Sequence, residues 1–192
     1  MAQSIKKTAK AFSLIELLVV VAIFATISSV VLANHSRFNN SVLLGSLAYD
    51  IALSMRQAQV YGLSVKQFSN QFQVGYGIRF EGTSSYIFFA DVNANKRYDS
   101  GTDSIVETFT LGRGHRVLRF CATPSSGLEK CTDSSNPITS LDVVFFRPNP
   151  DAWIRTSSDT VFSRARIVVA SVSNETRTIN IQSTGQISIT QP

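Results

Sequence analysis

The chain has 192 residues, 44% of them hydrophobic and 16% charged, and a formal net charge of +5. That composition excludes a disordered chain and a polytopic membrane protein, and it fits one folded domain beside one membrane-length segment. Lys6, Lys7 and Lys10 lie in the first eleven residues; without them fifteen basic residues face thirteen acidic ones, about +2, so net charge gives no argument for nucleic acid.

The chain opens with MAQSIKKTAKA and continues as FSLIELLVVVAIFATISS. From Leu17 to Ala33 no residue is charged and only Thr26, Ser28 and Ser29 are polar. With Phe12 to Ile15 in front, the run approaches the twenty or so residues that span a bilayer as a helix. Three lysines precede it and no comparable cluster follows, so the N-terminus is expected in the cytoplasm and everything after about Asn34 outside. Two cleavage readings compete. Val31-Leu32-Ala33 supplies a small-residue site before Asn34, and cutting there would release a Sec-exported soluble β-domain, a binding module. Cutting at the Ala11-Phe12 junction would remove only the lysine leader and keep the helix. Glu16 bears on the choice, because an ionisable group in an apolar segment costs free energy, roughly 2.5 to 3.5 kcal/mol at a helix centre. At the cytoplasmic edge that cost is small, and a plain anchor then suffices to explain it.

AFSLIELLVVVAIFATISS resembles the N-terminal signal of type IV pilins and pseudopilins, with a short basic leader, a Phe after the cut and a Glu at the fifth position of the mature chain; Glu16 is fifth from Phe12. The family usually has Gly before the cut, where this chain has Ala11. The resemblance implies that a prepilin peptidase cuts after Ala11 and methylates the Phe12 amino group. It further implies that subunits delivered by an inner-membrane assembly platform pack their helices into a filament, with Glu16 of an incoming subunit meeting Phe12 of its neighbour. A buried carboxylate needs such a cation, and a buried pair acts better as a register device than as net stability.

The helix is expected to continue past the membrane lipid. Leu44, Leu47, Ala48, Ile51, Met55 and Ala58 follow the i, i+3, i+4, i+7 pattern, with Asp50, Arg56 and Gln57 off the stripe. Tyr61-Gly62 offers a C-terminal stop, and Asn39-Asn40-Ser41 and Gly45 are the places to bend. The expected segments are therefore a leader over 1–11, a transmembrane helix over 12–33, an amphipathic continuation over 34–62 and a β-rich head over 63–192. In the head, strands are predicted over 65–72, 77–81, 86–90, 105–111, 117–122, 141–147, 165–172, 177–182 and 186–190. The last two form a hairpin across Ser183-Thr184-Gly185 with Ile179, Ile181, Ile187 and Ile189 facing inward; Pro148 and Pro150 end their strand. The fold class is α+β, a long helix on an antiparallel head, with a β-sandwich as one form. YDIALSMRQAQVYG, FADVNANKRYDSGTD and TRTINIQSTGQISI are similar to the GspH/FimT group of minor pilins and pseudopilins, and the large head favours a minor subunit of a pilus or a type II secretion filament.

Cys121 and Cys131 are the two cysteines, and an even count outside the cytoplasm argues for a disulfide, with free thiols the alternative. In DVNANKRYDSGTD, Asp91, Asn93, Asn95 and Asp99 stand at positions one, three, five and nine of a calcium loop. Lys96 occupies the sixth position, where the turn wants Gly, and the closing acid is displaced to Asp103. The bland alternative is Asx side chains capping their own backbone. GRGHRVLRF gathers Arg113, His115, Arg116 and Arg119, a possible phosphate-contacting patch for DNA in uptake, although plain alternation puts Arg116 and Arg119 on opposite faces. Arg164, Arg166 and Arg177 extend it only if folding brings them near. His35 and His115 belong to no recognisable catalytic arrangement, so no enzymatic activity is expected, and Trp153 reads as packing or rim.

Overall fold

The computed structural model describes residues 12–64, 68, 74–157 and 160–191, leaving out the side chains of 33–39. The leader, including Ala11, and the strand expected over 65–72, apart from Phe68, lie outside the described residues, as does the His35 side chain. The chain divides into two units, Met1–Asn39 and Asn40–Pro192.

One helix, α1, runs over Leu14–Leu63. In the first unit its apolar side chains from Leu14 to Leu32 are all exposed, over a stretch long enough to cross a membrane. The hydroxyls of Thr26 and Ser29 turn back to donate to the carbonyls of Ile23 (2.8 Å) and Ala25 (2.7 Å), which satisfies them without water. In the second unit the helix buries the expected stripe, with Leu44, Ala48, Ile51, Met55 and Ala58 fully enclosed. The helix passes through Asn39-Asn40-Ser41, Gly45 and Gly62. It ends at Leu63, one residue beyond the stop that Tyr61-Gly62 offers in the sequence. Gly62, in the last turn, also has a packing role: its missing side chain lets α1 approach a strand, since a Cβ there would stand 2.4 Å from the Phe145 carbonyl oxygen.

Ten strands follow: β1 (Gly75–Phe80), β2 (Ser85–Asp91), β3 (Ser104–Thr110), β4 (Arg116–Pro124), β5 (Lys130–Cys131), β6 (Leu141–Phe145), β7 (Ala152–Thr156), β8 (Phe162–Ala170), β9 (Thr176–Gln182) and β10 (Ile187–Thr190). All named pairings are antiparallel. One half has the order β3-β2-β1-β6-β7, the other β10-β9-β8-β4-β5, and they join through the single pair Ile154↔Phe162. Sequence missed β5 and β7; the rest match within a few residues.

Alternation along β1, β6 and β7 sends Tyr76, Ile78, Phe80, Leu141, Val143, Phe145 and Ile154 inward. Ile167, Val169, Ile179 and Ile181 do the same from the other half, and both sets share one core with the α1 stripe. The predicted hairpin forms in the register Ile187↔Ile181 and Ile189↔Ile179. Gly185 supplies its turn at φ 82°, a conformation that L side chains resist, and its carbonyl accepts from the Gln59 amide on α1 at 3.1 Å.

Candidate functional sites on the helix and the head

At the N-terminal end, Phe12 is 77% exposed and Glu16 lies exposed in the first turn of α1. The Ser13 carbonyl accepts the Leu17 amide at 3.2 Å, which makes Ser13 the residue that starts the helix. Ser13-Leu14-Ile15-Glu16 therefore has the S-x-x-E spacing of a capping box, a local use for Glu16 that the sequence reading overlooked. A carboxylate in the first turn also meets the positive end of the helix dipole. Beyond it lies a wholly exposed apolar surface, which in water would be an aggregation hazard and requires lipid or other helices around it.

The Asx loop between β2 and β3 folds back over the outer face of β1, β2, β6 and β7. That face carries the row Phe89, Gly77, Val144, Trp153, fixed by the pairs Gly77↔Phe89, Gly77↔Val144 and Val144↔Trp153. Phe89 and Val144 are fully buried yet stand outside the main core. The Tyr98 ring covers Phe89 edge-on at 5.3 Å, and Gly77 leaves the space they fill, since a Cβ there would lie 2.8 Å from Val144 and 2.9 Å from Phe89. Beneath the loop, Asp142 is buried against the Arg79 guanidinium at 3.0 and 3.1 Å and accepts the Tyr98 amide. Lys96 Nζ sits 3.5 Å from the centroid of the Trp153 ring.

Of the five residues read as calcium ligands, Asp91 ends β2 and the other four lie in this loop, and their oxygens hold its backbone. Asp91 accepts the amides of Asn95 (3.2 Å) and Lys96 (2.8 Å), and Asp103 those of Val92 (2.9 Å) and Asp99 (2.7 Å). Asn93 accepts from Asn95 at 3.1 Å and Asn95 from Arg97 at 3.0 Å, while Asp99 accepts from the side-chain amides of both Asn93 and Asn95. Lys96 takes the left-handed turn itself at φ 67°, the conformation for which the sixth position wants Gly. Burial pushes the Asp91 carboxyl up to about 6 against the pull of the Lys96 amide, with the Asp103 charge adding to the rise. The Asn93 and then the Asn95 amide hold Asp99 below the usual carboxylate range.

Cys121 and Cys131 face each other across β4 and β5 and are bonded, with S–S 1.99 Å. The Arg166 guanidinium pairs with Glu129 and lies 3.8 Å from Cys121 Sγ. Cys121, Glu129 and Cys131 are the group of three potential metal ligands found among the described residues, and the disulfide consumes both sulfurs.

The arginines end up differently from the sequence expectation. β4 carries a bulge between Val117 and Arg119, so Arg116 pairs Ala170 and Arg119 pairs Val168, two residues apart on β8. The extra residue restores parity: Arg116 and Arg119 share the outer face, together with Arg164 and Arg166 of β8. Arg119 is paired with Asp133 at 2.9 Å and Arg116 with Asn174 at 2.8 Å. Arg113 occupies the preceding turn at φ 58°. Arg177 points elsewhere, toward Ser41 on α1 at 3.3 Å. His115 is buried, with Nδ1 on the Gly112 carbonyl at 3.2 Å.

Residues 6–32 match the model of the prokaryotic N-terminal methylation motif, which encloses Ala11, Phe12, Glu16 and the apolar helix. The chain is 30% identical over 110 residues to the pilin-like protein PilA1 of Thermus thermophilus, across 57% of this chain and 66% of that protein's length. No solved structure matches it. An apolar helix stretch that opens on Phe12 and Glu16, a prepilin methylation motif over the same residues and a pilin-like relative agree with the α+β head, and together they support a type IV pilin-like family.

Proposed function

We propose that the chain is a minor pilin or pseudopilin of the GspH/FimT type, cut by a prepilin peptidase between Ala11 and Phe12, methylated on Phe12 and assembled through α1 into a type IV pilus or a type II secretion filament. It stays in the inner membrane with its head outside until assembly, and its partners are other pilin-type subunits. The observation that carries this reading is Glu16, a carboxylate at the start of a helix whose apolar stretch from Leu14 to Leu32 is wholly exposed. Packed among like helices, it needs a cation, and the Phe12 amino group freed by cleavage supplies one. The role is structural, with no reaction beyond serving as the peptidase's substrate.

Intact mass and N-terminal sequencing of the membrane-bound protein, from cells with and without the peptidase, test it. A methylated Phe12 start that depends on the enzyme is expected. A start at Asn34 would replace the proposal with the exported soluble domain.

Two finer readings concern the head. DNA binding by Arg113, Arg116 and Arg119 is favoured by the β4 bulge that brings Arg116 and Arg119 to one face beside Arg164 and Arg166. Salt-dependent oligonucleotide binding, lost when the first three become Ala, is the expected result, and retained binding rejects it. Calcium at Asp91, Asn93, Asn95, Asp99 and Asp103 is favoured by the left-handed turn at Lys96. Calorimetric titration decides it, and a heat-silent titration at millimolar calcium removes it.

A further inference from the structure

We propose that the pocket between the Lys96 turn and the β6–β7 connection binds an acidic saccharide, a sugar ring bearing a carboxylate. The pocket measures about 350 Å³ and is lined by Lys96, Arg147, Pro148, Asn149, Asp151 and Trp153. That size falls in the range of small-ligand sites, and the lining combines an aromatic platform with a few convergent polar groups. Trp153 projects from β7 on the outer face of the sheet and remains partly exposed.

Lys96 gives the pocket its charge preference. Its ammonium rests over the indole at 3.5 Å and makes no ion pair among the described residues. Its backbone is held at φ 67° with its amide fixed by buried Asp91. A residue with a Cβ pays to adopt that conformation, and Gly would not. The loop thus tolerates strain at the residue that brings a cation to Trp153, a local strain of the kind found at binding sites. An ammonium without a carboxylate partner favours an anion. Pro148 and the part of the indole that Lys96 leaves uncovered favour the apolar face of a ring. Asn149 and Asp151 offer acceptors and a donor for hydroxyls. A bare phosphate would leave the indole unused, and a neutral sugar would leave the ammonium unused. The site lies wholly in the head and stands independently of whether the chain assembles.

Trp153 is the only tryptophan in the chain, so intrinsic fluorescence reads this pocket directly. The full chain in a sugar-free detergent is titrated with an oligogalacturonate, a neutral glucan of equal length and a single-stranded oligonucleotide. A saturable change with the oligogalacturonate alone is expected. Lys96→Gly, which fits the left-handed turn without strain, is expected to keep the melting temperature and weaken binding by about tenfold or more, as loss of a charge-assisted contact requires. No saturable change, equal affinity in Lys96→Gly, or equal affinity for the glucan would each overturn the site. Equal affinity for the oligonucleotide would overturn the saccharide assignment.

Discussion

Gly45 and Gly62 lie in the same helix, and replacing each by Ala is expected to move stability in opposite directions. Glycine inside a helix costs about 0.5 to 1 kcal/mol relative to Ala through backbone entropy. At Gly45 a Cβ would meet nothing within 4 Å, so Gly45→Ala is expected to recover that amount. At Gly62 the same atom would stand 2.4 Å from the Phe145 carbonyl oxygen, 2.8 Å from its carbonyl carbon and 3.1 Å from its Cβ, and contact distance requires an opening of roughly 1 Å. Phe145 cannot yield easily, because β6 is paired on both sides, to β1 and β7. Overpacking of this kind costs about 1 to 3 kcal/mol, so after the helix-propensity gain Gly62→Ala is expected to be destabilising by up to about 2.5 kcal/mol, or at most roughly 10 °C for a chain of this size. Urea unfolding of the detergent-solubilised chain, followed by Trp153 fluorescence, measures both. A Gly62→Ala variant as stable as Gly45→Ala would show that α1 does not approach β6 so closely.

Two further outcomes concern the head. Asp91 is buried with a carboxyl raised to about 6 from an ordinary 3.8, so between those values the folded state binds more protons than the unfolded chain and stability falls as pH rises. The upper limit is about 3 kcal/mol; comparing unfolding of the parent and Asp91→Asn from pH 4 to 7 is expected to show the variant's deficit shrinking as pH rises, and a constant difference would remove Asp91 as the cause. Replacing Cys121 and Cys131 together by Ser, across a separation of 10 residues, is expected to lower stability by about 2 to 4 kcal/mol, with no effect of reductant on the double variant.

The elements that sequence revealed are those whose pattern is local. The α1 stripe repeats with a period of 3.6, and the β9–β10 hairpin pairs alternating isoleucines across a Gly turn, so each could be read without knowing what it packs against. β7 also alternates, with Ala152, Ile154 and Thr156 inward. Its five residues follow Pro148 and Pro150, whose chain-breaking signal dominated the reading. The β4 bulge depends on how β8 lies alongside, and alternation alone therefore assigned Arg116 and Arg119 to opposite faces. The helix stop near Gly62 was legible, but its close approach to the sheet was not, because the residue that needs its bare Cα, Phe145, is 83 positions away. Lys96 and Trp153 likewise meet only because the Asx loop folds back over the sheet.

Glu16 was legible as an anomaly, and the helix start gives it two physical uses that one substitution separates. As the fourth residue of Ser13-Leu14-Ile15-Glu16, its side chain can accept the Ser13 amide, and glutamine performs that capping role as well as glutamate. As the partner of a methylated Phe12 ammonium in a neighbouring subunit it must be charged, since a neutral amide cannot neutralise a cation buried among apolar helices. Glu16→Gln is therefore expected to yield a normally processed, membrane-inserted protein that fails to enter filaments, scored by the ratio of sheared filament to membrane pools. Ser13→Ala, which removes the cap hydroxyl and keeps the charge, is expected to cost the helix about 1 kcal/mol at its end and to leave assembly intact. If Glu16→Gln assembles like the parent while Ser13→Ala does not, the carboxylate serves its own helix, and the register between subunits is set by the apolar surface alone.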